Sequence, residues 1–236
     1  MKDSRPSLVL YIIAAIVVLV GKILNYELLM LIFKPMVVPA IFYYYLQTKT
    51  KNTNFLFSIN IWLFFIADMI MLLYGESAIL WVMGCNIVSY IILVKFALSD
   101  NVKAKFSLFN IIFLTLLLSL LGFILFTILN LKIEDIIEYY FFYLVYGIVL
   151  IMLIAISAFN YLSSNTASFL HLCLMSLCIL VSDLFYAIHQ FIIELPILDH
   201  SNTFVQFLSY FFMVKYFNSR RIEALKNNVI KTAIDG

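Results

Sequence analysis

The chain is a succession of apolar stretches, each long enough to cross a lipid bilayer as a helix. The runs cover residues 8–24, 28–46, 54–73, 77–98, 106–129, 137–159, 167–193 and 200–218. About 20 apolar residues in a helix span the hydrocarbon core, whereas open strands would leave backbone groups unpaired in lipid. Hydrophobic residues make up 65% of the chain and charged residues 12%, unlike a soluble domain. The sequence therefore predicts an all-α, polytopic membrane helix bundle with eight transmembrane helices.

The basic residues near or beyond the ends of these runs are distributed unevenly between the two sides of the membrane. One side carries Lys2, Arg5, Lys49, Lys51, Lys103, Lys105, Arg220, Arg221, Lys226 and Lys231. The other side carries Lys22 and Lys132 together with most of the acidic loop residues. Cytoplasmic loops are enriched in Lys and Arg, so both termini are predicted to be cytoplasmic. We divide the chain into a single eight-helix transmembrane domain, residues 1–219, and a short basic cytoplasmic tail, residues 220–236.

The segments between the runs are short, so any chemistry is expected in the membrane or at its edge. Cys85, Cys173 and Cys178 lie inside apolar runs and form neither a disulfide framework nor a metal-ligand spacing. The frequent use of Ile, Phe, Lys and Asn is typical of an AT-rich bacterial genome. We therefore expect a multi-pass protein of a bacterial inner (cytoplasmic) membrane.

Two acidic residues lie well inside the apolar runs, whereas the others lie in loops, tails or helix ends. Asp68 is in the third run and Asp183 is in the seventh. A charge at the bilayer centre costs roughly 2.5–3.5 kcal/mol on insertion scales, and such residues usually face a protein interior with a partner. Because helical side chains tilt toward the N-terminus, neither carboxyl group reaches the nearer interface easily. The two aspartates are therefore predicted to be functional.

The second run contains one basic residue, Lys34, at about the predicted depth of Asp68. Two interpretations stay open: its charge extends to the interface, or it meets the carboxylates or an anionic headgroup. Pro35 and Pro39 follow it and remove backbone donors from the helix. The second helix is therefore expected to be kinked, either at a cavity wall or for structural reasons alone.

Further polar side chains lie at comparable depth in the fourth, sixth and seventh runs. Asp183, Tyr186 and Gln190 are spaced at i, i+3 and i+7, which places them on one helix face, with His189 beside it. These groups either bond between helices or line one pocket with the aspartates. The predicted substrate-binding residues are Lys34, Asn86, Tyr90, Tyr146, Tyr186, His189 and Gln190.

A short internal similarity relates the surroundings of the two aspartates. The segments FIADMIM and LVSDLFY share an apolar–small–Asp–apolar order and lie four helices apart. Four crossings restore the orientation of the chain, so a parallel duplication would bring the two acids to equivalent positions. The similarity favours a paired-carboxylate site.

Several other membrane chemistries do not fit the sequence. The aspartates lack the GxGD motif of intramembrane aspartyl proteases, and the GxSG motif of rhomboid-type serine proteases is missing. His171 and His189 lie at opposite ends of the seventh run, which disfavours a zinc site built from several histidines. No P-loop or dinucleotide-binding motif is present.

The order of the motifs resembles that of the YhhN-like integral membrane proteins, whose characterised members are lysoplasmalogenases. The likeness rests on FKPM in the second run, FFIAD with Asp68 in the third, YGIVLIM with Tyr146 and Met152 in the sixth, and LVSD with Asp183 in the seventh. It implies cleavage of the vinyl ether of a lysoplasmalogen to an aldehyde and a glycerophospho-base. Asp68 and Asp183 would be the acid/base pair and Lys34 an auxiliary group.

The resemblance also implies the partners of the protein. The substrate would be a lysophospholipid, lysoplasmenyl-ethanolamine or -choline, met among membrane lipids, and neither a cofactor nor a nucleic acid is expected. The sequence sets no oligomeric state. Two alternatives stay open: a small proton- or cation-coupled transporter that uses the same buried acids, and a membrane scaffold in which they form polar contacts between helices.

Overall fold

The computed structural model describes residues 5–48, 54–100, 107–131 and 138–234, and every regular element within these ranges is helical. The long helices are α1 (Arg5–Ile23), α2 (Glu27–Thr48), α3 (Phe55–Tyr74), α4 (Ile79–Ser99), α5 (Leu108–Leu129), α6 (Tyr140–Ser163), α7 (Ala167–Phe191) and α8 (Pro196–Ile234). A short 3-10 helix, Gly75–Ala78, joins α3 to α4. Within the described residues, seven helices, α1 to α7, are long and apolar enough to cross a membrane. The predicted all-helical architecture is confirmed for these residues, and the seven apolar helices support a multi-pass membrane protein.

Each predicted run lies on one of these helices, with ends that differ by a few residues. The predicted starts at residues 106 and 137 lie outside the described residues, as do Lys2, Lys49, Lys51, Lys103, Lys105 and Lys132. The last run, 200–218, lies within α8, which continues as a helix beyond the predicted tail boundary at residue 220. The membrane crossing of α8, the tail boundary and the position of the termini stay predictions.

Four connections between the helices are only three or four residues long: 24–26, 75–78, 164–166 and 192–195. A chain extends by at most about 3.6 Å per residue, so such loops join neighbouring helix ends and reverse the chain. In the tightest of them, Asn25 adopts a left-handed φ of 54°, a conformation that Asn tolerates better than most residues. The end at which α1, α3 and α7 finish and α2, α4 and α8 begin is called the mouth end below.

The packing of helices α1–α4 is repeated in helices α5–α8. Sequential neighbours pack in both groups, α1 with α2 and α2 with α3 as α5 with α6 and α6 with α7. The two groups are joined by α2 against α8 and by α4 against α6. When α1–α4 are matched in order with α5–α8, the contact of α2 with α8 corresponds to the contact of α6 with α4. This correspondence supports the parallel duplication proposed from the surroundings of the aspartates.

The interior is packed with aromatic rings, and the outer faces are apolar as well. Phe57 lies between Tyr45 and Phe217, with ring centroids 4.3 and 4.2 Å away. Polar groups in the interior bond between helices, as where Asn160 Nδ2 donates to the carbonyl oxygen of Ala97 at 2.7 Å. Large apolar side chains cover much of the exposed surface along the helices. Such contiguous apolar surface is typical of a lipid-facing protein.

Candidate functional site

A cavity of about 230 Å³ lies between the helices in the half of the bundle nearest the mouth end. Its wall is formed by the last turns of α3, α5 and α7 and the first turns of α4, α6 and α8. Asp68, Asp183 and Lys34 all line this one cavity. Three ionisable residues that sequence reasoning placed on separate helices are thus brought to a common space inside an apolar bundle.

Asp68 is held firmly in the wall and is only 4% exposed. Gln206 of α8 donates through Nε2 to its Oδ1 at 2.8 Å, and the Tyr210 hydroxyl donates to its Oδ2 at 2.8 Å. The two donors are four residues apart, so they occupy adjacent turns on one face of α8. Both carboxyl oxygens of Asp68 are therefore engaged by neutral donors.

Asp183 on α7 is half-buried and is held through one oxygen. The hydroxyls of Tyr146 on α6 and Tyr90 on α4 donate to its Oδ2 at 2.7 and 3.1 Å. The two tyrosine oxygens are themselves 3.0 Å apart. Among the described residues, Oδ1 of Asp183 has no hydrogen-bond partner. The residue lines the cavity, so a carboxyl group with one oxygen unbonded by the described residues borders the space for a ligand.

The two aspartates occupy related but separate positions. Phe64 of α3 lies between their tyrosines, with its ring centroid 5.6 Å from that of Tyr210 and 6.1 Å from that of Tyr90. Within the described part of the chain, no hydrogen bond joins the two carboxyl groups. Each aspartate thus has its own tyrosine support, and the two face a shared cavity.

Lys22 and Lys34, which line the cavity, differ in the hydrogen-bond partners that the described residues offer them. Lys22 donates through Nζ to Asp199 Oδ1 and to Thr203 Oγ1, both at 2.6 Å. Lys34 is half-buried and interacts through its charge with Asp68, but it has no hydrogen-bond partner among the described residues. Lys34 can therefore bind an anionic group of a ligand.

The structure places the remaining predicted residues differently. Asn86 and Tyr186 line the cavity, and Tyr90 reaches it through its bond to Asp183. The Oδ1 of Asn86 is buried and has no hydrogen-bond partner among the described residues, which is uncommon for a buried acceptor. His189 and Gln190 are not among the residues that line the cavity.

Sequence reasoning did not identify Gln206 and Tyr210, the donors to Asp68. A signal existed, because their spacing in the last run matches that of Asn86 and Tyr90 in the fourth run. In the structure Tyr210 of α8 supports Asp68 of α3, as Tyr90 of α4 supports Asp183 of α7. Extending the internal duplication to the neighbouring helices would have pointed to both donors.

A scan against protein-family models, a search of curated proteins and a search of solved structures each find no match to this chain. The resemblance to the YhhN-like family therefore rests on the short sequence motifs around Lys34, Asp68, Tyr146 and Asp183. Any assignment of function rests on those motifs together with the chemistry of the cavity.

Proposed function

We propose that the protein hydrolyses the vinyl ether bond of lysoplasmalogens, giving an aldehyde and a glycerophospho-base by Asp/Asp acid/base catalysis. The observation that supports this most is the placement of Asp68 and Asp183 in one cavity, each on its own tyrosine. Vinyl ether hydrolysis needs one group that delivers a proton to carbon and one that removes a proton from water. Two differently supported carboxyls inside an apolar bundle provide both groups.

In this proposal Asp183 is the acid, because the residue lines the cavity and its Oδ1 has no hydrogen-bond partner among the described residues. It transfers a proton to the alkene carbon remote from the ether oxygen, and the adjacent carbon becomes an oxocarbenium ion. Asp68 takes a proton from the water that adds to this ion, which gives a hemiacetal. Asp183 then takes the hemiacetal hydroxyl proton while Asp68 protonates the leaving oxygen. The aldehyde and the glycerophospho-base separate, and both aspartates return to their starting states.

Two other cavity residues would position the substrate. Lys34 would bind the phosphate of the headgroup, since it has no hydrogen-bond partner among the described residues and a cation binds phosphate strongly in an apolar site. The Oδ1 of Asn86, which has no hydrogen-bond partner among the described residues, would accept a hydrogen bond from the free hydroxyl of the glycerol. A diacyl lipid lacks that hydroxyl, so Asn86 would favour lysolipids.

The proposal also includes the membrane setting. In it, α8 is the eighth transmembrane helix, both termini are cytoplasmic, and the mouth end lies at the outer face of a bacterial inner membrane. The excess of basic residues in the predicted cytoplasmic loops supports this orientation. The lipid substrate would then reach the site from the membrane.

The test is aldehyde release by the purified protein in detergent from lysoplasmenyl-ethanolamine and lysoplasmenyl-choline. We expect activity in the parent, and loss of at least about a hundredfold in Asp68→Asn and Asp183→Asn. Glu27→Gln, at an exposed carboxylate where α2 begins, is the matched control and should stay active. Gel filtration would establish that each variant is folded.

Two results would overturn the assignment. Aldehyde release that survives in both aspartate variants would refute the acid/base mechanism. A folded parent that releases no aldehyde from either lipid would refute the reaction. In that case, flux driven by a proton or cation gradient in reconstituted vesicles would favour the transporter.

A further inference from the structure

Matching α1–α4 in order with α5–α8 gives one difference beside the cavity among the described residues. On one side, α1 of the first group packs against α8 of the second. There the Tyr11 hydroxyl donates to the carbonyl oxygen of Phe207, and Lys22 bonds Asp199. By the same matching, the pair equivalent to α1 and α8 is α5 and α4. The described residues of α4 and α5 form no interface comparable with that of α1 and α8. Among the described helices, α5 packs extensively against α6 alone. We call the space between α4 and α5 the α4–α5 cleft.

The α5 wall of the cleft is apolar where it borders the cavity. On α5, Leu121, Ile124, Leu125 and Ile128 line the cavity, and their i, i+3, i+4 and i+7 spacing places them on one helix face. On α4 the facing wall includes Val82. Lys34 and Asp183 line the same cavity. The site is thus apolar at the cleft and charged inside.

The size of the cavity limits what it encloses. Its volume of about 230 Å³ is below the roughly 300–1,000 Å³ of pockets that enclose a drug-sized ligand. A long-chain lysophospholipid is larger than such a ligand, so only its polar part and the bond beside it fit inside. Its hydrocarbon chain must leave the cavity by an apolar route, and the α4–α5 cleft provides one.

We propose that the α4–α5 cleft admits a single-chain phospholipid sideways from the bilayer and holds its hydrocarbon chain against the apolar face of α5. The headgroup phosphate then lies at Lys34 and the first atoms of the chain lie beside Asp183. The inference rests on the proposed function for the identity of the reacting bond. The binding mode depends only on the charge of Lys34, the size of the cavity and the α4–α5 cleft.

Binding of a saturated analogue tests the cleft without any reaction. The probe is 1-O-hexadecyl-2-hydroxy-glycero-3-phosphocholine, which has no alkene to protonate, and binding is followed by displacement of a fluorescent lysolipid. Ile124→Trp would narrow the cleft, while Leu120→Trp is the matched control, because Leu120 is 57% exposed and does not line the cavity. We expect Ile124→Trp to weaken binding about tenfold, as for loss of about two buried methylene groups. Equal affinities of the two variants for the probe, or no binding of the probe by the parent, would overturn the proposal that the lipid chain binds in the α4–α5 cleft.

A second measurement needs no variant. The same ether lipid with a diazirine near the end of its chain is photolysed on the parent protein, and the adducts are located by mass spectrometry. Adducts on α4 and α5 are expected, and excess unlabelled ether lipid should suppress them. Adducts on α1 and α8, or adducts spread over all the helices, would overturn the proposal.

The experiments distinguish an error in the proposed binding mode from an error in the proposed reaction. If the parent binds the hexadecyl lipid with the expected effect of Ile124→Trp but releases no aldehyde, the cleft stands and the reaction is wrong. If the parent releases aldehyde but Ile124→Trp and Leu120→Trp bind the probe equally, the reaction stands and the cleft is wrong.

Discussion

At the scale of single residues, the two aspartates differ in the number of oxygens that the protein engages. Asp68 is bonded through both oxygens and is almost fully buried, whereas Asp183 is bonded through Oδ2 alone. A group that gives a proton to a carbon atom needs an unobstructed oxygen directed at that atom. In the proposed mechanism, this difference is the reason for giving the acid role to Asp183 and the activation of water to Asp68.

The support of Asp183 by Tyr146 leads to a first prediction. Tyr146→Phe removes the hydroxyl that donates to Oδ2 at 2.7 Å. A hydrogen bond to a charged group contributes about 1.5–3 kcal/mol, so we expect kcat to fall by roughly 10- to 100-fold while KM stays nearly constant. Tyr140→Phe, at an exposed position where α6 begins, should leave kcat unchanged. Equal rates for these two variants would contradict the role of Tyr146.

Lys34 gives a second prediction, which separates a binding role from a lysine that only extends to the interface. Lys34→Met should raise KM for lysoplasmenyl-choline by about tenfold or more, because a charge-assisted bond to phosphate is lost. Lys95→Met, at an exposed position on α4 outside the cavity wall, is the matched control. An unchanged KM in Lys34→Met would show that the phosphate binds elsewhere.

The residues that could be identified from the sequence differ from those that could not in the free energy needed to place their side chains in a membrane. Asp68, Asp183 and Lys34 could be identified because a charge inside an apolar run is expensive and therefore rare. Gln206 and Tyr210 are neutral, and such residues are common between membrane helices. Their importance comes only from the carboxyl group they contact, which is more than a hundred residues away in the chain.

At the scale of helices, the contact of α5 with α6 is close at one glycine. A Cβ added at Gly147 of α6 would overlap the side chain of Leu125, whereas one added at Gly122 of α5 would meet nothing within 4 Å. Gly147→Ala should therefore lower stability by about 1 kcal/mol, and Gly122→Ala should raise it by up to about 1 kcal/mol. Thermal unfolding in detergent measures the difference, which corresponds to roughly 2–4 °C per kcal/mol for a chain of this size.

Leu125 lines the cavity, so the same substitution should also affect the site. If Gly147→Ala and Gly122→Ala unfold at the same temperature, the close approach of α5 and α6 is refuted. The hydropathy of the sequence predicted α5 as a helix, because bilayer thickness fixes the length of the apolar run. It did not predict the helices against which α5 packs, because its sequence is apolar around the whole helix.

At the scale of the whole molecule, the proposed orientation in the membrane rests on loop charges, and whether α8 crosses the membrane determines the side on which the C-terminus lies. Seven helices meet the length and composition of a span, and the proposal adds α8. We predict that reporters fused to the two ends of the chain both report the cytoplasmic side. A C-terminal reporter on the outer side would mean that α8 does not cross the membrane, and the mouth end would then need reassignment.

The arrangement of the whole bundle was only partly accessible from the sequence. The short resemblance around Asp68 and Asp183 anticipated a relation between the first and second four helices, which the packing of α2 on α8 and α4 on α6 supports. Loop lengths fix which neighbours are antiparallel but not which distant helices meet. The lack of close packing between the described residues of α4 and α5 is therefore seen only in the structure.

The central claim is that a carboxyl group protonates the alkene carbon of a vinyl ether, and hydrolysis in heavy water tests it most directly. The purified protein is given lysoplasmenyl-choline in heavy water, and the aldehyde is trapped at once as a hydrazone and analysed by mass spectrometry. The mechanism predicts deuterium on the carbon next to the carbonyl, with loss of the product in Asp183→Asn. Aldehyde that carries no deuterium at that carbon would contradict protonation at the alkene and with it the assigned roles of Asp183 and Asp68.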